Sequence, residues 1–296
     1  MTAITTVPTS AAAPVSNGGR LARIGRFARR NPTLLLGAFI LIFFVGVAII
    51  APLIAGDPML KLPNRRLRPP SPELWFGTDH LGQDVFARVV YGARVSLIVG
   101  LSVAAISILV GLTIGLFAGY YRWFDNIVMR LMDGLMAIPA ILLAIAMVAL
   151  NQGSIAIVVA AISIPELPRV VRLVRSIVLS VKELPFVEAA RACGARTPRI
   201  LFRHIMPSTI APLIVQATYI CASAILVEAS LSFLGAGVPP EVPSWGNMIA
   251  SSRLYLARAP WTIFCPAVAL ALVVLAVNLL GDGLRDRLDP RLSRRL

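Results

Sequence analysis

The stretch from Val95 to Tyr121, VSLIVGLSVAAISILVGLTIGLFAGYY, contains no charged side chain and is long enough to cross a bilayer as a helix. Gly111, Gly115 and Gly119 recur at every fourth position, so they share one helix face and allow a second helix to approach closely. Because only helices and closed barrels satisfy their backbone within lipid, this run predicts an all-α integral membrane protein.

Further apolar runs on both sides of this segment have the same character. Together they predict about six transmembrane helices, at residues 33–55, 95–121, 131–150, 154–174, 210–235 and 261–280. The third contains Pro139, which predicts a kink. The fourth carries Glu166 and Arg169, so it spans the membrane only if these groups face other helices or water.

The composition agrees with a membrane protein. Of the 296 residues, 57% are hydrophobic and 14% are charged, against roughly 25% charged in soluble domains. The net charge of +14 would suggest a nucleic-acid partner in a soluble domain. Here long apolar runs separate the basic residues, so they indicate membrane topology and no nucleic-acid partner.

The distribution of basic residues predicts the orientation. With six spans, 20 of the 28 Lys and Arg lie on the side of the two termini, which places both termini in the cytoplasm. Residues 1–31 are expected to form a disordered basic tail, 32–292 the transmembrane domain and 293–296 a C-terminal tail. The segment 56–90 is then an extracytoplasmic loop. The run 33–55 is too long for the apolar core of a signal peptide, so we interpret it as a retained span.

The cytoplasmic loop 175–207 contains the sequence PFVEAARACGAR at residues 185–196. Its pattern predicts a short amphipathic helix over Phe186–Cys193, and Gly194 is a suitable C-cap. A short exposed helix of this kind commonly docks onto another protein.

Sequence patterns of catalysis are missing. The two histidines, His80 and His204, lie outside the spans, and the chain has neither HExxH nor GxSxG. Neither Lys61 nor Lys182 follows a glycine, so the chain has no P-loop for ATP. Three cysteines without CxxC spacing argue against a zinc site or a disulfide framework. We therefore expect no enzyme activity, bound metal or cofactor in this chain.

Glu228 lies inside the fifth predicted span, where a carboxylate is a functional candidate. It could belong to a transport pathway, as in a proton-coupled secondary transporter. It could also be a structural carboxylate that accepts hydrogen bonds within the helix bundle. The sequence shows no internal repeat with a second acidic residue, which secondary transporters often contain.

Several motifs resemble those of one transporter family. Glu188-Ala189-Ala190, followed by Gly194 and by HIMP at residues 204–207, resembles the EAA loop of ABC importer permeases. FGTDHLGQD at 76–84 and the segments at 91–97, 228–235, 243–248 and 278–291 resemble the C-type permease of dipeptide/oligopeptide/nickel importers. The resemblance extends over about residues 30–292. One departure is PELPR at 165–169, where the family usually has an aromatic-small-Arg sequence.

This resemblance implies a type I ABC importer permease in the bacterial inner membrane. The chain would form half of a pathway for di- or oligopeptides, with nickel, glutathione or another small solute as open alternatives. The implied partners are a second permease subunit in a heterodimer, two ATPase subunits that use ATP and Mg²⁺, an extracytoplasmic solute-binding protein and membrane lipids.

The implied ATPase-docking residues of the coupling helix are Glu188, Ala189, Ala190, Arg191, Gly194, Ala195 and Arg196. His204 and Pro207 are expected to be structural residues of the loop. A proton-coupled transporter that uses Glu228 remains the alternative from another class.

Overall fold

Helices account for the regular structure of the residues that the computed structural model describes, which are 32–150 and 154–288. The helices are α1 Pro32–Ile54, α2 Val85–Tyr120, α3 Arg122–Ala137, α4 Ala140–Leu150, α5 Ile155–Val181, α6 Pro185–Ala192, α7 Thr197–Phe233, α8 Trp245–Ser252 and α9 Trp261–Leu288. Short 3₁₀ turns lie at Pro63–Arg65 and Arg253–Tyr255, and α7 contains a π-helical segment, Ile200–Ile205. The predicted tails, 1–31 and 293–296, lie outside the described residues.

Among the described residues, four helices are long and apolar enough to cross a membrane: α1, α2, α7 and α9. The helices α3 and α4 form a fifth candidate if the pair is one span, although they are bent by 87° at the break that contains Pro139. The chain is therefore a multi-pass, all-helical membrane protein, as predicted. Helix α5 is long enough to cross a membrane but is not among these candidates, because its sequence contains several charged residues.

The second helix begins at Val85, whereas the sequence predicted residues 56–90 as loop and a span from Val95. Asp84 caps the helix, because its side chain accepts a hydrogen bond from the backbone N–H of Phe86. Arg88 lies in the first turns of this helix, where it is buried and pairs with Asp79. Because its charge is neutralised there, the helix can include residues 85–94.

Helices α5 and α7 also extend into the predicted loop 175–207. Helix α5 continues through Pro165 and Pro168 to Val181, because the buried side chains of Val170, Val174 and Val178 extend its apolar face. Helix α7 begins at Thr197 instead of residue 210. The non-helical connections are therefore the short stretches on either side of α6. At the other end of the chain, α9 runs on to Leu288, beyond the predicted end at residue 280.

The glycine face predicted on α2 packs against α5, as expected. A Cβ atom at Gly111, Gly115 or Gly119 would lie 2.5–2.7 Å from a side-chain atom of Val170, Val174 or Val178, respectively. These distances are below van der Waals contact, so the glycines set the separation of the two helices.

Helix α1 packs against α9 at Gly37, where a Cβ would lie 2.6 Å from the carbonyl oxygen of Ala276. Most of the other α1 side chains are exposed, including those of Phe39, Ile42 and Leu53. An apolar helix with little buried surface is what contact with lipid tails or with another subunit requires.

Candidate functional site

The short helix α6, Pro185–Ala192, confirms the helix predicted before Gly194. Pro185 occupies the first turn, where its missing N–H costs no hydrogen bond, and Glu188 places a negative charge near the positive end of the helix dipole. Gly194 has φ of +78°, a conformation that residues with a Cβ rarely adopt. The N–H groups of Gly194 and Ala195 donate to the carbonyls of Arg191 and Ala190, which is a Schellman cap.

Helix α6 is held to the bundle by one apolar side chain. Within its eight residues, all of which are described, Val187 alone is buried. It joins the core cluster that also contains Ile200, Leu201 and Ile205 of the π-helical segment of α7, which α6 contacts. The other α6 residues, including Phe186 and Glu188, are exposed or half-buried. A helix with one buried apolar side chain leaves most of its surface open to solvent.

Two contacts link the α6 region to the end of α2. The guanidinium carbon of Arg191 lies 5.9 Å from the ring centroid of Tyr120, which is within cation–π range. The Lys182 ammonium group donates to the carbonyl oxygen of Gly119 at 3.2 Å. Sequence reasoning missed both contacts, because nothing local to either partner signals the other.

Helix α5, which leads into α6, is also tied to α3. Arg175 forms a two-point ion pair with Asp125, in which Nη2 donates to Oδ2 at 2.7 Å. Arg172 donates to Asp133 at 2.6 Å. Asp133, which lies near the start of the third predicted span, thus has a basic partner on a neighbouring helix.

The remaining predicted loop residues lie around the start of α7. Ala195 is half-buried and packs against the core, whereas Arg196 is exposed and precedes Thr197. His204 lies in the π-helical segment and Pro207 in the following turn, so both are helical residues rather than loop residues.

Glu228 is fully buried in α7. Its Oε1 accepts a hydrogen bond from the hydroxyl of Ser232, one turn further along the same helix, at 2.8 Å. Among the described residues its Oε2 has no hydrogen-bond partner. The structure therefore places this carboxylate inside the bundle.

At the opposite end of α2, the FGTDHLGQD segment forms a folded loop around Asp79. Asp79 Oδ1 accepts from the N–H groups of Leu81 and Gln83, and Oδ2 accepts from Arg88 Nη1 at 2.8 Å. Gly77 and Gly82 have φ of +68° and +78°. A Cβ at Gly82 would lie 2.0 Å from the carbonyl oxygen of Leu62, so this turn requires glycine.

Tryptophan side chains fasten this loop and α2 to the C-terminal third of the chain. Trp261 donates its indole N–H to the carbonyl of Thr78 at 3.2 Å, and Trp245 donates to the carbonyl of Val89 at 2.9 Å. His80 stacks on Tyr255 with ring centroids 5.1 Å apart. Burial lowers the pKa of His80 from its ordinary value of 6.5, although the neighbouring Asp79 opposes this effect.

A multi-pass helical bundle that exposes a short capped helix between α5 and α7 has the architecture of a transport permease. The family described as "Binding-protein-dependent transport system inner membrane component" matches residues 111–294. The probable peptide ABC transporter permease protein y4tQ of Sinorhizobium fredii (strain NBRC 101917 / NGR234) is 61% identical, over 91% of this chain and 93% of the relative. The dipeptide transport system permease protein DppC of Alkalihalophilus pseudofirmus is 46% identical, over 90% and 88%.

The fold also has a solved counterpart. A chain from inward-facing structures of the MetNI methionine ABC transporter matches with a TM-score of 0.54 at 18% identity, over 69% of this chain and 97% of that chain. This chain belongs to the family of binding-protein-dependent transport system inner membrane components. It is a permease subunit of an ABC importer, which confirms the resemblance found in the sequence and disfavours the proton-coupled alternative.

Proposed function

We propose that this chain forms half of the translocation pathway for di- or oligopeptides and transmits ATP-driven motion from partner ATPases through α6. The observation that carries the proposal is the EAA surface of α6 (Glu188, Ala189, Ala190 and Arg191), which is exposed except for the half-buried Ala190, on a helix whose one buried side chain is Val187. Ala189 and Ala190 have little bulk, so a groove on a partner could approach the helix closely. Gly194, Ala195 and Arg196 complete the docking element.

The proposed assembly contains this chain, a second permease subunit, two ATPase subunits that bind ATP and Mg²⁺, and an extracytoplasmic solute-binding protein. Six spans result if α5 and the bent pair α3–α4 each cross the membrane together with α1, α2, α7 and α9. Both termini and α6 then share the cytoplasmic side, which the excess of Lys and Arg there supports. We propose that the chain itself catalyses no reaction and binds no cofactor.

The contacts of α6 suggest how motion would pass into the bundle. A rigid shift of α6 would displace the start of α7 through Val187 and the end of α2 through Arg191 and Tyr120. The ion pair between Arg175 and Asp125 would carry α3 along with α5. Rigid-body motion of this kind is a common way to switch a pathway between two states.

Peptide is the cargo that we propose, and the names of the two relatives described above support it. Nickel, glutathione and other small solutes are the competing cargoes. ATP-dependent uptake of a labelled dipeptide, compared with labelled nickel and glutathione, separates them in proteoliposomes that contain the complete importer.

Co-purification tests the docking role of α6. The Glu188→Arg variant should recover far less ATPase than the native chain, because it reverses a charge in the exposed surface without altering Val187. Glu241→Arg is the matched control, because Glu241 is exposed in the loop after α7 and should leave recovery unchanged. Equal ATPase recovery with both variants would exclude docking through α6, provided that both insert into the membrane.

A further inference from the structure

A cavity of about 800 Å³ lies between the loop that precedes α2 and the loop that follows α7. The end of α4 and the helix α8 complete its walls. Its volume falls within the roughly 300–1,000 Å³ that is typical of small-molecule sites. This cavity is at the opposite end of α2 from the contacts with α6, so it is separate from the docking site.

Basic side chains predominate among the charged residues of this cavity. Lys61, Arg88 and Arg253 line it, against the single acidic residue Glu241. In the described part of the chain, neither Lys61 nor Arg253 forms a salt bridge. Both are exposed, and the Arg253 guanidinium lies 6.0 Å from the ring centroid of Phe233, a contact that leaves its charge without an acidic partner. Because Asp79 already pairs with Arg88, the excess positive charge comes from Lys61 and Arg253 against Glu241, and it favours an anionic group.

Arg88 gives this cavity a buried donor that lacks an acceptor. Its side chain is 6% exposed, and its Nη1 donates to Asp79 and to Gln83. Its Nε has no hydrogen-bond partner among the described residues. The neighbouring His80 likewise has a buried Nδ1 without a partner. A buried donor without an acceptor is unfavourable, and a ligand oxygen that reached it would relieve that cost.

We infer that this cavity binds the carboxylate of the transported solute, between the Arg88 guanidinium and the exposed side chains of Lys61 and Arg253. A carboxylate has two acceptor oxygens, which suit an arginine N–H and a second basic group together. Asn247, which also lines the cavity, already donates its amide to the carbonyls of Val238, Pro239 and Val242. The inference deepens the proposed peptide import and rests on it.

Direct peptide binding tests this subsite. The complete complex of permease and ATPase subunits, without binding protein, is placed in phosphatidylcholine nanodiscs. The probes are radiolabelled Ala-Phe-Ala with a free C-terminal carboxylate and the same peptide as its C-terminal amide. The variants are Lys61→Gln/Arg253→Gln, the conservative Arg88→Lys, and Arg258→Gln as a control on an exposed arginine outside the cavity lining.

The native complex should bind the free carboxylate about five-fold or more tightly than the amide, as expected for the loss of one or two ion pairs. Lys61→Gln/Arg253→Gln should lower the affinity for the free carboxylate toward that for the amide, whereas Arg258→Gln should change neither. Arg88→Lys keeps a charge beside Asp79 but lacks Nε, so it should weaken binding of the free carboxylate alone. Equal native affinities for the two peptides, or equal losses for both in the variants, would overturn the inference.

Two further measurements, of peptide uptake and of binding-protein association, distinguish failure of the subsite from failure of the proposed peptide import. If native proteoliposomes take up the peptide but the variants leave the preference for a carboxylate unchanged, the subsite is wrong and peptide import stands. If the native complex neither imports nor binds peptide, both fail. If Lys61→Gln/Arg253→Gln weakens association of the solute-binding protein and leaves peptide affinity intact, the carboxylate comes from that protein, and the solute subsite is rejected.

Discussion

At the scale of single residues, Gly194 and Gly235 end two helices in the same way. Gly194 ends α6 just before α7 begins, and Gly235 ends α7. Gly194 and Gly235 have φ of +78° and +81°, and at both positions a Cβ would meet open space. Each donates its N–H to a carbonyl of the helix that it ends. Strain from the positive φ is therefore the main cost of an alanine at either position. A difference between the two alanine variants would then come from where each glycine lies and not from the strain.

Gly194→Ala should destabilise the end of α6 by about 1–2 kcal/mol, the usual cost of a left-handed conformation for a residue with a Cβ. Because the end of α6 belongs to the proposed docking element, recovery of the ATPase in co-purification should fall. Gly235→Ala carries the same strain at the other end of α7 and should leave ATPase recovery unchanged. Equal recovery with both variants would show that the conformation at Gly194 does not matter for docking.

His80 predicts a pH dependence for the loop before α2. The folded loop lowers the pKa of His80 below 6.5, chiefly by burial, so the unfolded loop binds the proton more readily. The contribution of His80 to stability should therefore be fully present above pH 6.5. It should be lost as the pH falls from 6.5 toward the lowered pKa. Thermal unfolding of the purified protein at pH 7.5 and 5.5 measures the effect.

The control for this prediction is His80→Phe, which retains an aromatic ring to stack on Tyr255 but does not titrate. The variant should lose less thermal stability between pH 7.5 and 5.5 than the native protein does. An identical loss in both proteins would assign the pH dependence to other groups.

At the scale of secondary-structure elements, the pair α2–α5 depends on the close approach of the glycine face to a row of valines. Gly115→Ala would place a Cβ 2.7 Å from the Cβ of Val174 and 2.9 Å from the carbonyl of Val171. Overpacking of this kind should lower stability by about 1–3 kcal/mol. Thermal unfolding in detergent measures the change. Gly134→Ala is the control, because a Cβ there meets open space in α3, and a matching loss in both variants would contradict the packing account.

The sequence predicted helices well where a local pattern determines them. The Gly111–Gly119 face, the kink at Pro139 and the end of α6 at Gly194 were all visible in residue spacing. The predicted span began at Val95, where the charge-free run starts, whereas the helix begins at Val85, because the pairing of Arg88 with Asp79 allows the arginine to be buried. Likewise α5 continues through two prolines because valines bury its next turns, which is a tertiary effect.

The candidate sites show the same division between local and distant information. The motif around Glu188 and its capping glycine can be recognised in the sequence alone. The cavity between the two loops unites Lys61, Arg88 and Arg253, which are far apart in sequence. No residue spacing could predict that grouping, because it depends on how α2, α7 and α8 pack together.

At the scale of the whole molecule, α2 connects the two ends that we assign to function. Its first turns hold Arg88 at the cavity, and its last turns contact Arg191 and Lys182 beside α6. The buried ion pair of Arg88 and Asp79 holds the first turns of α2 to the preceding loop. The contacts with Arg191 and Lys182 hold its last turns to the α6 region. A shift of α6 therefore has a direct structural route to the cavity.

Cross-linking from α6 tests the central claim most directly. In a chain with Cys193→Ser, a cysteine is introduced by Ala189→Cys on the exposed surface of α6, or by Leu254→Cys on the opposite side, where Leu254 is 83% exposed. Both chains are assembled with the ATPase partner and treated with a short bifunctional reagent. The account predicts that position 189 captures the ATPase and that position 254 does not. Failure of capture from position 189, or equal capture from both positions, would contradict docking through α6.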